Sequence, residues 1–216
     1  MTGGRPLYIL GAGGHGKVVA EAVYAAGIHD LRGFLDDDHR LWGGETYGRP
    51  VLGNLELLKH LETDALVALG VGANEDRANL ARALLACGRR LASVLHPSAV
   101  LARGVKIGSG TYVGPLALVH ADAELGRGVI VNSGAVVEHD VRLGDWTHLS
   151  PRVVLGGSVR VDEGAHLGLG AVVLPGLAVG PWATLGAGAV LTRSLPGGAT
   201  GVGVPARWHG ALGRTG

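Results

Sequence analysis

The sequence predicts a small α/β, Rossmann-like domain followed by a parallel β-helix of hexapeptide repeats, and three observations carry that prediction. From Leu95 to Leu191 an aliphatic residue recurs at every sixth position, and all seventeen such positions are Leu, Ile or Val. Four residues after most of them stands a small or β-branched residue, as at Ala99, Val105, Thr111, Ala117, Ala123 and Val129. Before residue 90 the pattern changes to short apolar runs alternating with helical stretches, the first of them followed by a glycine-rich turn. Neither a helix nor an ordinary sheet repeats at six, whereas a solenoid of short strands and corners does. Three hexads close a triangular coil, the repeated aliphatic points into the prism, and strands pair from one coil to the next.

The elements follow in order. Leu7–Leu10 is a buried strand, and Gly11-Ala-Gly-Gly-His-Gly16 is the turn after it. Lys17–Ala26 is a helix with Gly27 as its stop; Gly33–Leu35 is a second strand, ending in Asp36-Asp-Asp38. Asn54 caps a helix through His60, Ala65–Leu69 is a third strand, and Asn74 caps a helix to Cys87. Leu91–Val94 closes this sheet. The order implies a parallel sheet flanked by helices. The expected division is 1–92 for the α/β domain, 93–204 for the solenoid and 205–216 for a tail that lacks hexads and frays. The glycines at Gly108, Gly114, Gly126, Gly144, Gly156, Gly168, Gly180 and Gly186 read as corner residues.

Composition narrows the function. A formal charge of +1 gives no reason to expect nucleic acid or a membrane surface as partner. Cys87 is the single cysteine, so there is no internal disulfide; its sequence neighbourhood reads as a buried helix position. The apolar run at the start stops after four residues, unlike a signal peptide, and no stretch approaches a membrane span. The expected location is the cytoplasm.

Gly11-x-Gly13-x-x-Gly16 has a strand before it, a helix after it, and Asp36 at the end of the next strand, twenty residues beyond Gly16. The first glycine permits the turn, the second lets backbone N–H groups approach a pyrophosphate, and the third allows close helix packing. A sheet of three or four strands is small for a dinucleotide, which favours a sugar nucleotide over NAD. His15 lies in the loop, facing the ligand or capping the turn.

Among the histidines of the repeat, His148 and His166 are eighteen residues apart and should stack. A metal site needs a second ligand a few residues from the first, and no such pair exists, so no metal is expected. His139 stands in Val137-Glu-His-Asp140, on a corner and flanked by carboxylates. A carboxylate on one ring nitrogen fixes the tautomer and raises the basicity of the other, as a general base requires; a solvated charged corner is the alternative. Trp146, Trp182 and Trp208 read as outward packing at a seam between subunits, and Arg152, Arg160, Arg193 and Arg207 as solvated corners, with CoA as the alternative contact for both sets.

Tyr8–Gly16, Phe34-Leu-Asp-Asp37, Leu69–Asn74, Leu95-His-Pro97, Asn132–Asp140 and Gly201–Ala206 together resemble the sialic acid O-acetyltransferase-like sugar acetyltransferases. Within them the chain is most similar to enzymes that N-acetylate UDP-linked 4-amino-4,6-dideoxy sugars, as in bacillosamine-type synthesis. The resemblance implies a left-handed β-helix and a homotrimer with acetyl-CoA sites between neighbouring solenoids. It implies His139 as catalytic base, Asp140 as its orienting acid, and the Gly157 N–H as oxyanion donor. His148, Leu169 and Ala187 would contact the CoA thioester arm. Gly13, Gly14, His15, Asp36, Asp37 and Asn74 would hold the nucleotide sugar, with Asn132 near its reacting group. Many relatives carry Glu at the position of Asp140, and adjacent strand residues point to opposite faces, so Glu138 stays an alternative partner for His139. O-acetylation, a non-catalytic sugar-nucleotide scaffold and a nicotinamide oxidoreductase remain as rival readings.

Overall fold

The computed structural model describes residues 4–208 of the 216. The chain divides into two compact units, Met1–Pro97 with Ser109–Tyr112, and Ser98–Gly108 with Val113–Gly216.

The first unit contains β1 (Arg5–Leu10), α1 (Gly14–Ala26), β2 (His29–Leu35), β3 (Glu45–Thr46), β4 (Arg49–Gly53), β5 (Leu66–Leu69), α2 (Asn74–Ala86) and β6 (Arg90–Leu91). The sheet order is β3-β4-β2-β1-β5-β6, parallel except for the β3–β4 pair. Leu7, Ile9, Leu31, Phe34, Leu35 and Val67 form its core, each at most 2 % exposed. The chain leaves β1 toward β2 on one side and later returns to β5 on the other. The crevice at the strand ends therefore opens beside β1, where such sheets bind ligands.

Several boundaries differ from expectation. α1 starts at Gly14, three residues early, because the glycine loop turns tightly enough to enter the helix before Lys17. Leu55–His60 is a 3-10 helix; Asn54 does cap it, its Oδ1 accepting the Glu56 N–H at 3.1 Å. The β3–β4 hairpin was not expected. Its turn, Tyr47-Gly48, has φ of 51° and 71°, the mirror-image geometry that Asn-Gly ordinarily signals. Asn74 is the first residue of α2 rather than its cap, and Ala73 occupies the cap. Cys87 is exposed, a correction to the buried reading: the helix buries Arg77, Ala78, Ala81 and Leu84 and ends before Cys87. The first unit also extends past residue 92, because the strand Val94–Leu95 packs against α1.

The second unit is the solenoid. Strands pair in parallel eighteen residues apart, one coil of three hexads, giving three faces. The valine face carries Val100–Leu101, Leu118–Val119, Val136–Val137, Val154–Leu155, Val172–Val173 and Val190–Leu191. The charged face carries Lys106–Ile107, Glu124–Leu125, Arg142–Leu143, Arg160–Val161 and Ala178–Val179. The histidine face includes Ile130–Val131, His148–Leu149, His166–Leu167 and Thr184–Leu185. Fourteen of the seventeen repeated aliphatics, from Val113 onward, are at most 4 % exposed. At about 1.5–3 kcal/mol for each buried aliphatic side chain, this ladder is the unit's main source of stability. Leu101 and Ile107 stay partly exposed because their strands end their faces, with no coil beneath.

The corners correct the reading of the glycines. The residue in the left-handed region is the third after each inward aliphatic, at every sixth position from residue 104 to residue 188. The glycines one place after the aliphatic serve a different purpose: close stacking. A Cβ on Gly168 would lie 2.6 Å from the Ala187 nitrogen of the next coil, and one on Gly144 2.6 Å from the Glu163 nitrogen. Trp146 is also corrected, being 3 % exposed with its ring over Gly128 one coil below; Trp182 covers Gly164 in the same way. The last corner of the valine face is two residues short, since Leu191 pairs with Val173 but Leu195 already bridges Val179. The expected fraying of the tail lies, for residues 209–216, outside the described residues. Before them, the Val202 and Arg207 N–H groups each donate to the other's carbonyl, at 3.0 and 2.9 Å. Among the described residues no helix is long and apolar enough to cross a membrane.

Candidate active site

In the first unit the glycine loop is built as its spacing predicts. Gly11 has φ of 103°, and a Cβ there would lie 2.8 Å from the Gly70 carbonyl oxygen. A Cβ on Gly16 would collide with the Gly11 carbonyl, which is how α1 sits so close to β1. A Cβ on Gly13 or Gly14 would meet nothing within 4 Å, so the loop is open on that side. No side chain caps α1, leaving its positive end to an anion. Beside it lies a cleft of about 390 Å³ lined by Gly11, Asp36, Asp37, Val71, Asp76 and Asn79, among others.

Asp36 braces this cleft: its carboxylate accepts the Ala12 N–H at 2.8 Å and the Asp38 N–H at 2.9 Å. Each oxygen keeps a second lone pair for a ligand hydroxyl. Asp37 accepts the Leu55 N–H at 3.3 Å. Asn74 does not stand free; its Oδ1 accepts from Arg77 Nη2 at 2.8 Å. Arg77 is 1 % exposed and also donates to the Gly72 carbonyl at 2.8 Å, so it clamps the loop after β5. Burial lowers its guanidinium to about 10. Its one sequence signal is phase: Arg77 falls in line with Ala81 and Leu84 on the helix face that the core covers.

His15 is largely buried, its ring edge-on to Tyr112 at 5.4 Å. Desolvation, then repulsion from Arg77, depresses it to about 4, so it is neutral at pH 7. The Tyr112 hydroxyl is buried without a hydrogen-bond partner among the described residues, and burial pushes it up to about 12.

In the second unit, His139 and Asp140 occupy the edge between the valine and charged faces. Asp140 takes the left-handed position of its corner, with φ of 59°. That twist turns two adjacent side chains to the same side, and His139 Nδ1 lies 2.8 Å from Asp140 Oδ2. Glu138 instead faces His120, with Nε2 to Oε1 at 3.8 Å. The bond to Asp140, opposed by desolvation and then aided by the charges of Asp140 and Glu138, raises the His139 pKa. Gly157 lies one coil above, where a Cβ would stand 2.6 Å from His139 Nε2. Only glycine leaves the ring room there. The Gly157 N–H has no acceptor among the described residues.

The other candidates lie elsewhere on the prism. Asn132, Leu169 and Ala187 occupy the opposite edge of the valine face, between it and the histidine face. Asn132 Oδ1 accepts the Ser133 N–H at 2.8 Å, while Leu169 is 59 % exposed. His148 stands on the histidine face, stacked on His166 with ring centroids 4.9 Å apart. His166 Nε2 is 3.0 Å from Ser150 Oγ. One chain thus brings His139, Asp140 and Gly157 together and keeps them apart from Asn132, His148, Leu169 and Ala187. Among the described residues no three His, Cys, Asp or Glu side chains gather as metal ligands would.

Fold and site define the class: a left-handed parallel β-helix acyltransferase preceded by a small α/β unit. Residues 6–84 match the PglD N-terminal domain. The chain is 37% identical to the acetyltransferase domain of PglB from Neisseria gonorrhoeae, covering 95% of this chain and 100% of that one, with a TM-score of 0.89. That domain is also known with acetyl coenzyme A bound. PerB from Caulobacter crescentus, solved with CoA and GDP-perosamine, is 38% identical over 97% of this chain and 99% of its own, with a TM-score of 0.90. The UDP-N-acetylbacillosamine N-acetyltransferase of Bacillus subtilis is 41% identical over 111 residues, 50% of this chain and 51% of that protein, so the match spans about half its length. The chain belongs to this family of hexapeptide-repeat sugar acetyltransferases.

Proposed function

We propose that the protein transfers an acetyl group from acetyl-CoA to the amino group of a nucleotide-linked 4-amino-4,6-dideoxy sugar. The observation that carries this reading is the His139 ring, tied to Asp140 at 2.8 Å through Nδ1, with Nε2 directed at the Gly157 corner. Asp140 holds the tautomer in which Nε2 is the base. The sugar amine attacks the thioester carbonyl and gives a proton to Nε2. The tetrahedral oxyanion accepts a hydrogen bond from the Gly157 N–H, a contribution of about 3–4 kcal/mol in comparable sites. The C–S bond then breaks, and the departing thiolate takes the proton from the imidazolium. No covalent enzyme intermediate and no metal enter.

The division of labour follows the sequence: residues 1–92 hold the nucleotide sugar at Gly13, Gly14, His15, Asp36, Asp37 and Asn74, and residues 93–204 carry the transfer. The site is completed by a homotrimer. The outward residues of the valine face are apolar throughout, Val100 being 59 % and Val154 37 % exposed. Its two edges carry the two halves of the site. Three copies packed through this face set the His139 edge of one against the Asn132, Leu169 and Ala187 edge of the next, with His148 nearby. A donor kept in the cytoplasm places the reaction there.

The test is a thiol-release assay with acetyl-CoA against UDP- and GDP-linked 4-amino sugars and CMP-sialic acid. Turnover with an amino sugar is expected. Turnover with the sialic acid substrate alone would move the reaction to O-acetylation, and failure to bind acetyl-CoA would sink the transferase reading.

A further inference from the structure

The edge that carries His139 continues in steps of eighteen residues through Gly157 and Pro175 and reaches Arg193 in the last coil. Three coil spacings of about 4.8 Å put Arg193 roughly 14 Å up the prism from His139. The shortened corner leaves Arg193 exposed, and no side chain among the described residues pairs with its guanidinium. The chain then crosses the end of the prism. The Ala206 N–H donates to the Val190 carbonyl at 2.7 Å, and the Val190 N–H to the Gly203 carbonyl at 3.1 Å. These bonds bring Arg207 and Trp208 back beside Arg193, and Arg193, Ala206, Arg207 and Trp208 line a pocket of about 160 Å³. Arg207 spends one guanidinium N–H on the neighbouring Ala206 carbonyl, at 3.2 Å, and has further donors to offer.

Two guanidinium groups and an indole around one small pocket suit a phosphorylated aromatic group: the forks take phosphate oxygens and the ring offers a stacking face. The distance selects which one. A pantetheine arm, built of amide and methylene units like an extended peptide, reaches roughly 15 Å. A thioester at His139 would set the far end of the arm level with Arg193. We infer that Arg193, Arg207 and Trp208 form the subsite for the 3′-phosphorylated ADP end of acetyl-CoA. The inference rests on the acetyl-transfer reading above and assigns residues that the sequence analysis read as solvated corners and seam packing.

The experiment compares acetyl-CoA with acetyl-dephospho-CoA, which lacks only the 3′-phosphate, in the full chain and in Arg193→Gln and Arg207→Gln. The wild-type protein should show a KM about tenfold lower for acetyl-CoA, the order expected for charge-assisted hydrogen bonds to one phosphate. At least one variant should bring the two KM values together, with the loss in KM rather than kcat. Both positions are exposed, so neither change should disturb folding. Equal KM values in the wild type, or a tenfold preference that survives in both variants, would overturn the subsite and leave acetyl transfer standing. A wild-type protein that neither turns over nor binds acetyl-CoA by calorimetry would overturn both readings.

Discussion

His15 and His139 are the same residue in opposite surroundings, and the contrast separates what each half of the molecule does. His15 is enclosed by the glycine loop and Tyr112 with Arg77 nearby, so its pKa falls to about 4. His139 stands on an exposed corner with a carboxylate on one nitrogen, so its pKa rises. A histidine held neutral donates or accepts a hydrogen bond without charge, which suits recognition beside a phosphate. One made more basic is suited to taking a proton. Burial decides the first case and a single hydrogen bond the second.

The strongest way to break this contrast is to remove the base. His139→Ala should lower kcat by roughly 10²–10⁴-fold, the range general bases contribute. A free amine is itself a good nucleophile, so the residual rate should be measurable with an amine acceptor and much smaller with an alcohol. A thiol-release assay on the two acceptor types reads both numbers. Undiminished turnover would remove His139 from the chemistry. Asp140→Asn sharpens the comparison with a smaller effect. Losing the carboxylate lowers the His139 pKa, and the reaction needs the neutral ring. The acidic limb of kcat/KM should therefore move to lower pH, while the plateau falls by about tenfold as base strength and orientation weaken. A limb that stays in place would show that Asp140 does not act on His139.

The two regions also differ in how much of them the sequence discloses. The solenoid is legible almost to the residue, because each inward aliphatic is set by a steric period that nothing else in the fold competes with. Its corners are less so: Asp140 in a left-handed conformation is invisible to period counting, yet that twist is what lets Asp140 rather than Glu138 reach His139. In the α/β unit the glycine loop was legible because each glycine answers a specific close approach. The Tyr47-Gly48 hairpin was not, since a tyrosine stands where asparagine would have signalled the turn. Arg77 was hidden by its charge, although its helical phase placed it in the core. Asn132 and the three CoA-facing candidates came from resemblance alone; they share no edge with His139 in one chain, so no intrachain pattern joins them.

The smallest effect expected is on stability, and it follows from His15. Its folded-state pKa, about 4, lies below the ordinary value of 6.5, so the folded protein binds fewer protons than the unfolded chain between these limits. The stability it protects is therefore fully present above pH 6.5 and is lost as the pH falls toward 4. The slope is at most about 1.4 kcal/mol per pH unit and the total up to about 3 kcal/mol. His29, lowered by desolvation and by Arg5, adds in the same direction, and carboxylates titrate near the lower limit. The difference between wild type and His15→Gln isolates the one group. Urea unfolding at pH 7 and pH 5 should show the wild type losing more stability than the variant across that interval. Equal losses would mean that His15 is accessible to protons in the folded state, and the contrast with His139 would then be one of partner alone rather than of burial.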